Sequence, residues 1–502
     1  MTPGPAAATR EGAAPAADAR LLRTLTTPKI VFLIVAAAAP LAAMVCTVPL
    51  AFALGNGAAV PAMFAFAGLT LLCFSVGYAA MSRRIVNAGG FYTYISSGLG
   101  RPVAVGSALI AVIAYNTATV GLAGAFAYFA QLVAASHGLN LRWEVWAAVG
   151  LAVIAFLGYR RIELSARLLA VFMVCEVLVL AALDVAVLAR HGVSALPATS
   201  FAPHTIMKAG IGVGMMFAFV SFIGFESAAL YSEEARDPKR SIPLATYIAV
   251  FLITLFYTLT SWIAVGAIGP SRVAAVANAQ LGDMFFNLSD GYLNKAATIA
   301  MQVLLCTSLF AGWLALHNAA NRYMFVLGRE RVLPRWFDAV HPRRNAMHHA
   351  SLVQTIFTAA VAGAFAVAGL NPYTSLATSM LGVGTLGIIV LQALASLAVI
   401  GYHRDRPDRH WWRTGVAPLL GLAGLGTATV LVVKNFVIMT GTTNPAVTSL
   451  PWLILAAGAG GLGYAVWMRK ARPERYAGLA RAVPLDIPQQ APEPLPDAAA
   501  RV

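Results

Sequence analysis

Residues 210–226 read Gly210-Ile211-Gly212-Val213-Gly214-Met215-Met216-Phe217-Ala218-Phe219-Val220-Ser221-Phe222-Ile223-Gly224-Phe225-Glu226. The run is apolar enough for the interior of a lipid bilayer, yet a glycine and then a carboxylate fall where such a helix would be deepest. An unpaired charge at that depth is costly, and a simple lipid-facing helix requires neither residue. The first apolar run of the chain has a counterpart: Ala36-Ala37-Ala38-Ala39 meets Pro40 in mid-run, and Pro49 follows. Each feature alone reads as a glycine packing site or a proline kink, both common in membrane helices.

The rest of the chain says which setting applies. Of 502 residues 59% are hydrophobic and 11% charged, and the mean hydropathy is +0.74; a soluble domain carries roughly 25% charged residues. At about 20 apolar residues per crossing, the long apolar runs supply about twelve helical spans, and the expected fold class is an all-α integral membrane protein. The first six are expected over Ile30–Leu54, Ala58–Met81, Val103–Ala135, Trp146–Leu157, Leu164–Leu188 and Ile211–Leu230. The remainder are Pro243–Ile268, Ala296–Leu327, Ser351–Leu370, Tyr373–Ile400, Val416–Met439 and Leu450–Met468. The interrupted runs are then spans 1 and 6. Weak points at corresponding places in two five-helix halves point to a transporter with inverted repeats and discontinuous helices.

The formal net charge is +15, from 35 Lys+Arg against 20 Asp+Glu. Nucleic acid is not implied, because no segment outside the apolar runs is long enough to form a basic folded domain. The cations instead occupy alternate loops: Arg83 and Arg84, Arg160 and Arg161, Lys239 and Arg240, Arg329 to Arg344, Arg404 to Arg413. Basic loops resist translocation, so this pattern places both termini in the cytoplasm. Residues 1–29 read as a disordered cytoplasmic tail rather than a cleaved signal peptide, and 469–502 as a second disordered tail. The core is expected over 30–402, in halves 30–190 and 209–402, with two additional helices over 403–468. Cys46, Cys73, Cys175 and Cys306 lie in separate apolar runs without metal or redox spacing and read as buried core residues. No G-K-[ST] phosphate loop and no metal-ligand spacing is present, so no cofactor, metal or ATP-driven step is expected.

Three stretches carry a family resemblance. Ser221-Phe222-Ile223-Gly224-Phe225-Glu226, continuing through Glu233-Glu234-Ala235-Arg236-Asp237-Pro238-Lys239-Arg240-Ser241-Ile242-Pro243, resembles the sixth-span signature of the amino acid-polyamine-organocation (APC) superfamily permeases. Asn87-Ala88-Gly89-Gly90-Phe91-Tyr92-Thr93-Tyr94 is similar to that family's G-G-x-Y-x-Y element, and Asn321-Arg322 through Gly328-Arg329-Glu330-Arg331-Val332-Leu333-Pro334 to its basic segment after span 8. The resemblance implies a five-plus-five inverted-repeat core of the LeuT type with broken helices 1 and 6 and substrate held between them. On that reading the half-helix after Pro40 turns its free N–H groups and positive end toward an amino acid carboxylate. Where many members carry a glycine-rich span 1, this chain has Ala39-Pro40-Leu41-Ala42-Ala43-Met44. The carboxylate-binding assignment therefore falls on Ala39, Pro40, Leu41, Ala42 and Ala43 by position. Carbonyls near Phe222, Ile223 and Gly224 accept from the ammonium group. Phe222 and Phe225 either close over the substrate side chain or pack as ordinary aromatic residues, and the motif favours closure for Phe225.

Polar residues at membrane depth complete the expectation. Glu176, in mid-span 5, reads either as the proton-coupling residue or as a structural carboxylate bonded to span 1 or span 8, for instance to Thr307 or Ser308. Glu226 reads as a structural or gating carboxylate. Asp184, nearer the outer end of span 5, reads as a snorkelling or loop contact. Tyr115 and Asn116, in span 3, line the pocket or bond between helices; His317 and Asn318 read as packing or gate residues. The function expected is a secondary active permease importing a neutral amino acid or small amine with a coupling proton. The alternatives are an amino acid or amine exchanger, a sodium-coupled symporter and a transport-deficient nutrient receptor. The partners are the small-molecule substrate, the proton and membrane lipid, without nucleic acid.

Overall fold

The computed structural model describes residues 25–85, 90–160, 166–226, 235–341 and 346–479. Among these the secondary structure is helical, with one isolated backbone bridge between Leu25 and Ala235. Among the described residues a helix stands at each expected span, but the one at span 12, Trp452–Ala471, is not among those long and apolar enough to cross a membrane. Nine are long and apolar enough to cross a membrane, and the Trp143–Tyr159 and Ile211–Ser221 helices are shorter apolar pieces. The very long third and eighth runs are single helices, Arg101–Ser136 and Lys295–Arg329.

Span 1 is broken where Pro40 stands. Helix 1a runs Thr27–Ala38, Ala39 turns into the left-handed region at φ 46°, and helix 1b runs Pro40–Leu54. Proline has no N–H to continue the ladder of 1a and its ring excludes the preceding turn, but at the first position of a new helix neither defect matters. Pro49, the second expected interruption, does not break 1b. The carbonyl of Cys46, in the disturbed turn before it, is taken by the Tyr373 hydroxyl at 2.6 Å. Helix 6a covers Ile211–Ser221, shorter than the expected span; Phe222–Glu226 are non-α-helical, and 227–234 lie outside the described residues.

The packing repeats with a period of five spans. Spans 1 and 6, 2 and 7, 3 and 8, and 4 and 9 pack as pairs; where 1 meets 7, 6 meets 2; where 5 meets 8, 10 meets 3. Contacts of 1 with 5 and of 5 with 7 likewise recur as 6 with 10 and 10 with 2. A repeat of five crossings starts its second copy from the opposite membrane face, so the core is an inverted repeat of two interlocked halves. The glycines in the first turn of helix 6a serve this interlock: a Cβ on Gly55, next to the end of 1b, would lie 2.9 Å from the Cα of Gly214.

Both expected tails need correction at their inner ends. Helix 1a already includes residues 27–29. At the other end the span 12 helix, Trp452–Ala471, is followed by a short helix Pro473–Gly478 whose neighbour Leu479 is buried. Arg101 holds it, donating from Nε to the Leu479 carbonyl at 3.1 Å and from Nη2 to that of Ala477 at 3.1 Å. Residues 1–24 and 480–502 lie outside the described residues.

Candidate functional site

The two helix breaks face one another across the centre of the bundle. Gly224, at φ 109°, brings its backbone so close to helix 1a that a Cβ there would stand 2.6 Å from the Ala37 carbonyl oxygen. Beside it the hydroxyls of Thr47 and Ser221 meet at 2.6 Å, joining 1b to 6a. The span 7 residue Tyr257 donates to the Ala38 carbonyl at 3.0 Å, satisfying an acceptor that the break leaves without its helical N–H.

Between the breaks and span 8 lies a cavity of about 430 Å³. Ala39, Ala42, Ala43, Tyr115, Ile223, Gly224 and Glu226 are on its wall, as expected for a site at this place. Sequence reasoning missed the contribution of span 8: Ser308, Gly312, Ala315, Asn318 and Arg322 form one side. Their spacing of three and four residues marks one helical face, a signal available in the sequence once span 8 is known to face the centre. The remaining expected residues stand off the wall. Pro40 and Leu41 are buried behind it, and Asn116 donates at 2.7 Å to the Val112 carbonyl of its own helix. Phe222 packs edge-on against Tyr257 with ring centroids 5.5 Å apart, and Phe225 against Phe74 at 6.0 Å, so neither ring covers the cavity. Of the pair late in span 8, Asn318 reaches the cavity while His317 is fully buried, bonded to Gln354 and Ser351 of span 9.

The two carboxylates are held differently. Glu226 accepts from the Tyr115 hydroxyl at 3.2 Å and from the Gly224 N–H at 3.0 Å, so it folds back over the bend that carries it. Glu176 accepts from Ser308 at 2.8 Å and from the backbone N–H of Leu41. It therefore takes a donor at the positive end of helix 1b. Pro40 has no N–H, the Leu41 N–H is on Glu176, and that of Ala43 returns to the Ala39 carbonyl at 2.9 Å. Ala42, the next residue of helix 1b, is on the wall of the cavity. Asp184, expected as a loop contact, instead accepts from Thr260 of span 7 at 2.7 Å.

Three sequence-distant segments converge at one end of this cavity. Tyr115 stacks on Tyr323 of span 8 with centroids 5.0 Å apart and bonds to Glu226 of span 6. Tyr92, on the helix Phe91–Leu99 after span 2, bonds to Glu330 in the segment after span 8. Phe74 bridges Phe91 and Phe225. The motif residues Asn87, Ala88, Gly89, Glu233 and Glu234 lie outside the described residues.

The cavity wall reaches Leu25, Leu33 and Arg322, at the end of the bundle that carries the basic loops. Its opposite end is closed by aromatic rings: Tyr128 stacks on Tyr373 at 4.6 Å, Phe129 meets the same ring at 5.3 Å, and Tyr373 is bonded to helix 1b. The cavity therefore extends toward one end of the bundle and is closed off at the other.

A family model described as amino acid permease matches residues 25–462. An uncharacterised transporter of Mycobacterium tuberculosis is 29% identical over 437 residues, covering 83% of this chain and 84% of that protein. A branched-chain amino acid permease of Bacillus subtilis is 25% identical over 386 residues, 72% of this chain and 77% of its own. A chloroplastic cationic amino acid transporter of Arabidopsis thaliana is 28% identical over 210 residues, 40% of this chain and 33% of its own.

Proposed function

Because this chain belongs to the amino acid permease family, we propose that it imports a neutral, apolar amino acid across the plasma membrane, coupled to protons through Glu176. The observation that carries this reading is the shared end of helix 1b: the donors suited to a substrate carboxylate lie beside Ala42, and Glu176 already holds the adjacent Leu41 N–H. Two negative groups at one half-helix terminus repel, so an amino acid carboxylate enters more readily when Glu176 carries a proton. Binding of substrate and proton is then mutually favourable, and by linkage each strengthens the other equally. Ser308 ties Glu176 to the wall of the cavity, where the presence of substrate is sensed.

The lining supports a neutral side chain. Alanine and glycine dominate the face that 1a, 1b and span 8 turn inward, and the one carboxylate among the described wall residues, Glu226, is committed to Tyr115 and Gly224. A second cationic group on the substrate would find no uncommitted acidic partner among the described residues. The branched-chain permease of Bacillus subtilis is in keeping with this substrate class. The halves 30–190 and 209–402 form the moving core, residues 403–468 add two helices, and both termini are cytoplasmic, which makes the cavity open to the inside.

The test is uptake of labelled leucine, valine, alanine, lysine and putrescine into proteoliposomes under an inward proton gradient, with and without sodium. Accumulation of the neutral amino acids that collapses with a protonophore and ignores sodium is expected. Uptake only after internal preloading would make the protein an exchanger, and a sodium requirement would replace the proton.

A further inference from the structure

A second cavity, of about 400 Å³, is lined by Arg83 and Arg84 at the end of span 2 and Lys239 and Arg240 at the start of span 7. It differs from the transport site in character: each lining side chain among the described residues is cationic. Asp408, bridged to Arg84 at 2.8 Å, is the carboxylate paired with this group among the described ion pairs. The helix that begins at Pro238 adds the positive end of a long dipole. We propose that this cavity binds the phosphate headgroup of an anionic phospholipid, one carrying two phosphates.

The surroundings favour a lipid over a soluble anion. Directly along the span 7 helix, Leu244, Ile248 and Phe251 are exposed at spacings of four and three residues, which makes one apolar ridge leading away from the cations. On the other side of span 2, the helical turn Trp411–Val416 that leads into span 11 exposes Trp411 and Trp412, residues suited to the membrane interface. Arg413 in that turn and Arg83 both lie within electrostatic reach of Tyr247 on span 7. Phosphates in the cavity would thus sit at headgroup depth, with acyl chains lying on the ridge below. Basic pockets between helices are the sites where multiply charged headgroups collect. Because spans 2 and 7 pack against each other and belong to opposite halves of the repeat, a headgroup bound across their ends bridges the two.

The probe is cardiolipin, with the full-length protein in detergent and in phosphatidylcholine nanodiscs, and binding read by native mass spectrometry. Each Lys or Arg near an anionic surface strengthens attraction about fivefold. Arg83→Gln, Lys239→Gln and Arg240→Gln combined should weaken cardiolipin retention by roughly a hundredfold, and Lys239→Gln alone by about fivefold. Arg469→Gln with Lys470→Gln, which remove two cations from the end of span 12, should leave it unchanged. The variants' melting temperatures in lipid-free detergent report whether they are folded; should the triple variant unfold, the single one carries the test. Equal losses from the two sets of substitutions, or none from the first, would overturn the site in favour of general surface attraction. Inorganic pyrophosphate binding as tightly as cardiolipin in lipid-free detergent would overturn the lipid as the occupant.

Discussion

Gly224 and Glu176 show how single residues set the transport site. Gly224 combines a φ of 109° with a backbone approach to Ala37 that leaves no room for a Cβ. Gly224→Ala should therefore destabilise the protein by roughly 1–3 kcal/mol and lower uptake, as read by thermal unfolding in detergent and by transport; an unchanged melting temperature would refute the contact. Glu176 is a different case, since glutamine keeps the shape and can still accept from Ser308 and Leu41. Glu176→Gln should leave stability near wild type and still exchange substrate, but fail to accumulate it under a proton gradient. Accumulation equal to wild type would reduce Glu176 to a structural carboxylate. Its two readings were both open in the sequence, and the bond to Ser308 alone does not choose between them; the shared helix terminus is what favours coupling. Phe225 illustrates the reverse. Its place in the motif suggested a lid, but an aromatic ring goes where neighbouring rings offer packing, and here that is Phe74.

At the scale of the element, the break in span 1 was readable because proline's defects are local and independent of fold. What stabilises the break was not readable, because its partners come from span 7. Tyr257→Phe removes the hydroxyl that satisfies the Ala38 carbonyl, and leaving that buried acceptor unpaired should cost about 1–2 kcal/mol. Urea or thermal unfolding in detergent checks this, with Tyr247→Phe, a half-buried site on the same span, as the control expected to show no loss. Pro49 teaches the complementary lesson: the same residue type further along helix 1b causes no break, and the turn before it is held by the Tyr373 hydroxyl, which donates to the Cys46 carbonyl. A proline in the sequence thus marks a place where the backbone needs help, and the tertiary structure decides whether help arrives. The helix at Pro473–Gly478 was missed for a related reason. Its composition resembles a tail, and the order comes from Arg101, more than three hundred residues away in the chain.

For the whole molecule, the decisive property is asymmetry of access. The cavity reaches Arg322 and Leu25 at one end, while Tyr128, Phe129 and Tyr373 close the other. At the closed end, beside the ring contacts, the 2.6 Å bond from the Tyr373 hydroxyl to the Cys46 carbonyl joins span 10 to helix 1b. Tyr373→Phe should favour the state open at that end by about 1 kcal/mol, or roughly fivefold in population. Cys46 lies on the cavity wall, so in a variant lacking the other three cysteines its modification by a membrane-impermeant thiol reagent added outside whole cells should quicken by the same factor. An unchanged rate would show that the ring stack, rather than the hydroxyl, maintains the seal.

The sequence by itself determined that this is a helical membrane protein, where its long apolar helices lie and that spans 1 and 6 are interrupted. Those features follow from solvent transfer and backbone chemistry, which act residue by residue and need no knowledge of neighbours. Only the tertiary structure decided which face of span 8 lines the cavity, where Glu176 finds its donors and which end of the site is sealed. These are pairings between segments far apart in the chain, and the hydrophobic pattern of a membrane helix is too uniform to encode them: nearly every face is apolar, so the choice among faces rests on close packing and a few hydrogen bonds.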